Sequence, residues 1–370
     1  MHMDITAFVL LYLCLRNMRK RNGVNHEKKV AEFSQGAVYA YTIQNEAIHM
    51  TALNFGAVIT ELKTSDRSGN MENVVAAFSD IMDYERQQGP YLNAVVAPVA
   101  GRIAYGSYSM ENTVHQLSIN NGCHHLHGGT GGISRQLFHV EEEEQALHFH
   151  LECRHDMDGF PQGTYRYDIW YRLSGNNLII EYHGTPPQKS LMNMTSHMYF
   201  NLSGNLRESI LQHDLRIDSV EKLKIHPDGH PFEKEKIEAG SAFDFRNLTP
   251  IQKRYELGHP EFQYTRAYDT PFLLGPNGIT LYHAGSGRRL DMTTDAPSLV
   301  LYSANYFDDE NLVLNHHRRG EAFIALALET QDLPNGVNIR NAEVHPFYDA
   351  RHPYKQKTVR SEERRVGKEC

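Results

Sequence analysis

Cysteine is scarce in this chain and positive charge is not in excess. Of four cysteines in 370 residues, Cys14 and Cys370 lie near the ends, leaving Cys123 and Cys153 in the body. So sparse a set excludes the disulfide framework of a small secreted domain and fits a reducing, cytoplasmic compartment. A formal net charge of −8 gives no electrostatic reason to bind nucleic acid or an anionic membrane surface. Basic clusters at residues 16–21 and 364–365 are terminal and lack interleaved aromatics. The apolar segment at residues 5–15 is too short to span a bilayer, and its positive charges follow the apolar run where a secretory signal places them before it. No membrane or nucleic-acid partner is therefore expected.

Long amphipathic helices, a Gly-rich phosphate loop, a repeat period and an internal linker are also missing. Short helices are expected within residues 79–87 and after Thr249-Pro250, where Thr offers an N-cap and Pro opens the first turn. What dominates is alternation. Leu147, Phe149 and Leu151 alternate with His148 and His150, and Tyr165, Tyr167, Ile169, Tyr171 and Leu173 form one face of a longer strand. Ser174-Gly175-Asn176-Asn177 then supplies turn chemistry before the run from Leu178 to Tyr182, which predicts a β-hairpin. Many short strands with few short helices predict an all-β fold, a large antiparallel sandwich occupying residues 31–355 as a single domain.

Several residues stand where chemistry can be done. The apolar run at residues 322–328 leads directly into Glu329 and then into a polar stretch ending Pro334-Asn335-Gly336, so a buried strand delivers a carboxylate to the lip of a core. Such a group is rarely buried without a partner or a task, because desolvation disfavours its charged form. Histidines number 22, and imidazole titrates near neutrality. His197 stands in Ser196-His197-Met198-Tyr199-Phe200-Asn201, and His127 in Leu126-His127-Gly128-Gly129. Arg102 follows Gly101, whose missing side chain lets backbone or ligand approach closely.

Taken in order, these segments resemble the aldose 1-epimerase (galactose mutarotase) family. The resemblance begins at Phe55-Gly56-Ala57-Val58-Ile59-Thr60 and Asp66-Arg67-Ser68-Gly69. It passes through Gly101-Arg102-Ile103-Ala104, Leu126-His127-Gly128-Gly129 and Ser196-His197 with Tyr199-Phe200-Asn201-Leu202. It closes with Tyr268-Asp269 before Pro271-Phe272 and with Leu328-Glu329-Thr330-Gln331 ahead of Pro334. The resemblance implies a galactose mutarotase-like β-supersandwich acting on free hexoses such as D-galactose and D-glucose. It implies Glu329 as catalytic base, His197 as acid, and Arg102, His127 and Asp269 as substrate-binding groups. No cofactor is implied, the partner is a small aldose, and the state expected is a monomer or weak dimer. Departures from the family pattern stand at Gly101, where members often carry Asn, at Met198, where Pro or Ser is common, and at Val300, where some place Gln; these bear on sugar preference.

Rival readings are a non-catalytic sugar-binding or sensing protein of the same fold and a hexose-phosphate epimerase, which would need an Arg/Lys cluster for the phosphate. Cys123, His124, His125 and His127 invite a metal reading, as do His148 and His150. Zinc needs several converging ligands, no distant partner is evident in the sequence, and no metal is expected. At the ends, residues 1–30 read as an extension, with Met18 an equal candidate for the start. Residues 360–370 resemble translated sequencing-adapter DNA and read as a non-native tail to be left out of fold reasoning, the alternative being an ordinary charged, disordered tail.

Overall fold

Alternating apolar residues become sheet faces in the computed structural model, which describes residues 27–342 and 346–364. In strand Tyr165–Ser174, Tyr165, Tyr167, Ile169, Tyr171 and Leu173 are buried while Arg166, Asp168, Trp170 and Arg172 are exposed or half-buried. The chain reverses over Gly175 and Asn176, with Gly175 at φ +58°, and strand Asn177–Thr185 returns with Ser174 opposite Asn177. The hairpin predicted from the turn residues is therefore present, in the register that keeps both apolar sets on one face.

That hairpin belongs to a nine-stranded antiparallel sheet in the order His139–Glu143, Ala146–Cys153, Tyr165–Ser174, Asn177–Thr185, Tyr354–Arg364, Arg288–Thr294, Ile279–Tyr282, Asp214–Ile217 and Thr249–Pro250. A six-stranded sheet runs Tyr199–Phe200, Leu326–Gln331, Ser298–Tyr302, Asp269–Leu273, Glu221–Ile225 and Pro231–Lys236. A five-stranded sheet takes up residues 27–73. Tyr167, Ile169, Tyr171, Ile180, Leu281 and Leu290 of the nine-stranded sheet share one apolar cluster with Phe272, Leu299, Leu301, Leu326 and Leu328 of the six-stranded sheet. Each such buried side chain contributes about 1.5–3 kcal/mol, so this contact fixes how the sheets face each other. The chain is an all-β sandwich, as expected.

Helices are few among the described residues: Asp83–Arg86, Ile251–Tyr255 and Phe262–Thr265. The first lies inside the predicted stretch. The second starts after Pro250, which sits at the N-cap while Thr249 pairs with Leu215, so the helix begins later than the Thr-Pro pattern suggested. No helix among the described residues is long and apolar enough to cross a membrane. The expectations for residues 1–26, including Cys14, Met18 and the segments at 5–15 and 16–21, and for Arg365 and Cys370, lie outside the described residues.

Residues 360–364, the start of the stretch that resembles adapter DNA, complete strand Tyr354–Arg364, between strands Asn177–Thr185 and Arg288–Thr294. Arg360 is 1 % exposed; it touches Met198 Sδ and lies 5.4 Å from the Phe200 ring centre. A strand lodged between two neighbours is held by backbone pairing, which composition does not report. A chain ending at Val359 is expected to lose about 3 kcal/mol or more of stability relative to one ending at Arg364, since several backbone hydrogen bonds of about 1 kcal/mol each disappear. Denaturant unfolding of the two proteins measures this, and equal midpoints would show that the added pairing contributes nothing.

Candidate active site

Strand periodicity builds the floor of the site. In Leu326–Gln331, Leu326 and Leu328 turn into the core, so Glu329 and Gln331 turn to the opposite face. Val300 is paired with Glu329, and Pro271 with Val300; Asp269 is paired with Tyr302 on the same pair of strands. Asp269, Pro271, Val300, Tyr302, Glu329 and Gln331 all line one cleft of about 310 Å³. Loops from the other side of the molecule supply its walls, among them Arg102, His127, His197 and Tyr91. All five candidate residues from the sequence are thus brought to one cavity, from elements up to 227 positions apart.

Each side chain is held by its backbone surroundings. His197 donates its N–H to the Ala94 carbonyl at 2.9 Å and accepts from Asn93 N–H at 3.1 Å. His127 sits at φ +51°, and Gly128 and Gly129 after it have no room for a Cβ: one would strike the Ala97 carbonyl and the other the Asp158 carboxylate. Asp158 is fully buried and accepts from Ser118 Oγ at 2.7 Å, Thr130 N at 3.0 Å and Gly131 N at 2.8 Å. It ties down the loop that carries His127. Gly101, at φ +73°, lies against Pro334, so a side chain there would push the backbone before Arg102 away from the turn that follows strand Leu326–Gln331.

The centre of the site is an ionisable pair. Glu329 Oε1 lies 3.5 Å from His197 Nε2, and both side chains are almost fully buried. Burial pushes the Glu329 carboxyl well above its ordinary range; the Asp269 charge adds to this and the Arg102 charge opposes it. Burial lowers His197 to about 4. Both shifts favour uncharged groups: burial takes His197 down into the ordinary carboxylate range and Glu329 well above it, so the order the two have in water is reversed and the shared proton rests on the carboxyl. Among the described residues, Glu329 Oε2 and His197 Nδ1 have no partner, and neither does the Gln331 carboxamide. Buried polar atoms without partners cost about 1–3 kcal/mol each, and these belong to residues that line the cleft.

Around the pair, Arg102 lies 3.4 Å from Asp269 and donates through Nε to Asn121 at 3.0 Å. His127 Nδ1 accepts the Gly101 N–H at 3.2 Å. The neutral ring, its pKa depressed by burial and then by His197 and Arg102, therefore carries its proton on Nε2 as a donor. The donor atoms of His127, His197 and Glu329 lie within 4.8 Å of one another, close enough for a metal ion. A His127 ring whose Nδ1 is taken by an N–H has no lone pair on Nε2 to offer, so the arrangement suits hydroxyl recognition better. Tyr91 packs on His127 at 4.6 Å, and Tyr302 and Tyr306 stack at 6.4 Å, giving aromatic surface on which an apolar sugar face can rest.

Sequence reasoning did not single out Tyr91, Asn121, Asp158, Tyr302 or Gln331. Gln331 alone had a local signal, being two positions beyond Glu329 on a strand. The suspected metal cluster at residues 123–127 disperses: His127 enters the cleft, His125 Nδ1 meets the Ser118 carbonyl at 2.9 Å, and His124 meets Asp228. A distant partner, not evident from sequence, does exist in Asp228.

The aldose 1-epimerase family profile matches residues 39–346. A galactose mutarotase of Sus scrofa is 30% identical over 314 residues, covering 82% of this chain and 88% of the relative. An aldose 1-epimerase of Escherichia coli (strain K12) is 28% identical, with 80% and 87% covered. Among solved structures, a GalM/aldose epimerase homologue from C. elegans superposes with a TM-score of 0.79 at 22% identity, covering 88% of this chain and 98% of that one. A galactose 1-epimerase from Lactobacillus acidophilus NCFM gives 0.78 at 24%, with 91% and 98% covered.

The buried imidazoles carry a pH dependence. His197 and His155 are lowered to about 4 and His213 to about 3, all mainly by burial, and His127 lies well below its ordinary value. Between those values and about 6.5 the unfolded chain binds more protons, so this contribution is full above about 6.5 and is lost as pH falls toward 4. Glu329 and Asp332, the latter raised to about 6 by burial, work in the opposite sense but are fewer. Lowering pH from 7 to 5 is expected to reduce stability by about 2 kcal/mol or more. Denaturant unfolding at the two pH values measures it; an unchanged free energy would mean that these rings are not buried neutral.

Proposed function

Because this chain belongs to the aldose 1-epimerase family, a family of isomerases, we propose that it interconverts the α and β anomers of free hexoses such as D-galactose and D-glucose. The observation that carries this reading is the buried Glu329–His197 pair at the floor of a cleft that Arg102, His127 and Asp269 also line. Anomer exchange requires opening the hemiacetal ring. Glu329 takes the proton of the anomeric hydroxyl as the C1–O5 bond breaks, and His197 delivers a proton to O5. Rotation about C1–C2 and reclosure with the roles exchanged yield the other anomer. Hydrogen bonds from the sugar hydroxyls favour the charged form of the pair, with Glu329 ionised and His197 protonated, and the roles exchange on reclosure, since the acid of one half-reaction is the base of the other.

The surrounding groups act by holding the ring. Arg102 and His127 donate to sugar hydroxyl oxygens, Asp269 accepts from hydroxyls, and the Tyr302 and Tyr306 side chains pack on the apolar face. Arg102 also favours the ionised form of Glu329. The sugar hydroxyls replace water, so the pair works at low dielectric, where charge–dipole interactions are stronger.

Charge separates this from the phosphorylated alternative. Among the described residues Arg102 is the only Lys or Arg lining the cleft, and Asp269 already engages it. A phosphate dianion would meet one shared cation beside the carboxyl groups of Asp269, Glu310 and Glu329, whereas a neutral hexose meets donors and acceptors of both kinds.

Polarimetry of freshly dissolved α-D-galactose and α-D-glucose tests the proposal. The protein is expected to accelerate mutarotation, and Glu329→Gln and His197→Asn to lower kcat by about 10²–10⁴. Sugar binding without acceleration would identify a sensor instead, and a Glu329→Gln variant at full rate would remove Glu329 as base.

A further inference from the structure

Strands Glu221–Ile225 and Pro231–Lys236 are joined by His226-Pro227-Asp228-Gly229-His230. His226 donates its backbone N–H to the His230 carbonyl at 2.9 Å, and Gly229 donates to His226 at 2.8 Å. This closed turn sets the two imidazoles side by side, ring centres 4.9 Å apart and 30° from parallel. Both aim Nδ1 at the same oxygen: His226 lies 2.8 Å and His230 2.6 Å from Asp228 Oδ1. The donor atoms of the three residues lie within 4.8 Å of one another, and Cys123 Sγ lies within the same distance of an Asp228 carboxylate oxygen.

Two comparisons within the molecule sharpen this. His148 and His150 also bracket a carboxylate oxygen, that of Asp168, at 2.8 and 2.9 Å. Their ring centres are 6.4 Å apart at 65°, and that set is not among the described residues whose donor atoms gather closely enough for one ion. His124, though adjacent to Cys123, has a different task. Its Nδ1 accepts the Tyr105 N–H at 3.1 Å, so its proton is on Nε2, which donates to the Asp228 backbone carbonyl at 3.2 Å. It clamps the turn against the loop bearing Cys123 and leaves no lone pair for an ion.

We propose that His226, Asp228 and His230, with the Cys123 thiolate as fourth donor, form a binding site for a divalent cation of the zinc class. Two imidazole nitrogens, a carboxylate oxygen and a thiolate are a donor set for a borderline ion, whereas Mg²⁺ and Ca²⁺ prefer oxygen alone. Each ring binds through Nδ1 with its remaining proton on Nε2. Ligand atoms around a tetrahedral zinc, with bonds of about 2.0–2.1 Å, stand about 3.3 Å apart, so the two Asp228–imidazole distances must open by roughly half an ångström while Cys123, which is near Asp228, must close on the imidazoles. His226 is 46% exposed and Cys123 is on the surface, which gives both the freedom to do so. The site borders the cleft: Gly229 packs against the Arg102 guanidinium, and Asn121, on the Cys123 loop, accepts from it. The ion ties the hairpin tip to that loop, a structural role at the rim and separate from the acid–base pair.

Titrating Zn²⁺ into the full-length protein against a chromogenic chelator tests the site. One equivalent is expected to bind, at least tenfold more weakly in the His226→Ala/His230→Ala double variant and in Asp228→Asn, and unchanged in His148→Ala/His150→Ala. Co²⁺ is expected to give the visible bands of a tetrahedral site and a near-ultraviolet sulfur-to-metal band that Cys123→Ser removes. Absence of stoichiometric binding, or binding that the double variant retains in full, overturns the proposal; absence of the sulfur band overturns the place of Cys123. Should circular dichroism show the double variant unfolded, His226→Gln, changed at an exposed ring, decides by the same criterion.

Discussion

Everything in the cleft depends on one costly arrangement, a carboxyl group and an imidazole buried together 3.5 Å apart. Water would keep the two at ordinary and well-separated affinities for the proton. Removing it raises one and lowers the other, and their ordinary order is reversed. Neither group is neutralised by a close counter-ion; Arg102 is the nearest relevant cation and Asp269 engages it. The pair is therefore held not by its own attraction but by the strands and loops around it, and stability is given up at the place where reactivity is needed.

The sandwich supplies that support through simple periodicity. Leu326 and Leu328 anchor one face of their strand in the main core, which leaves Glu329 no choice of direction. The same alternation on the two neighbouring strands places Val300, Tyr302, Asp269 and Pro271 beside it. His197 and His127 arrive on loops, and loops need other restraints. Backbone bonds to Ala94 and Asn93 fix the first, and the Asp158 carboxylate, gathering several donors from the Gly-Gly turn, fixes the second.

Glu329, His197, Arg102, His127 and Asp269 were legible in the sequence because each sits in a short motif, and the motifs follow one another in a family order. The hairpin at Gly175-Asn176 was legible from its turn residues and from alternation on both sides. Tyr91 and Asn121 were not, since an isolated Tyr or Asn in a loop carries no pattern. Asp158 carried no signal either, because the loop it binds lies about thirty positions upstream. The pairing of residues 360–364 was not legible, because composition describes a segment alone, whereas a strand between two neighbours is defined by them.

By itself the sequence determined that the fold would be all-β, where the strands and turns would alternate, and which acid and base would be available. These follow from local periodicity and side-chain chemistry. Only the tertiary structure decided that Glu329 and His197, 132 positions apart, meet in one cleft, and that Cys123 and Asp228 approach across another gap in the chain. Proximity between distant segments depends on how two sheets pack, and burial depends on what surrounds a residue in space. Neither is written in the residues next to it.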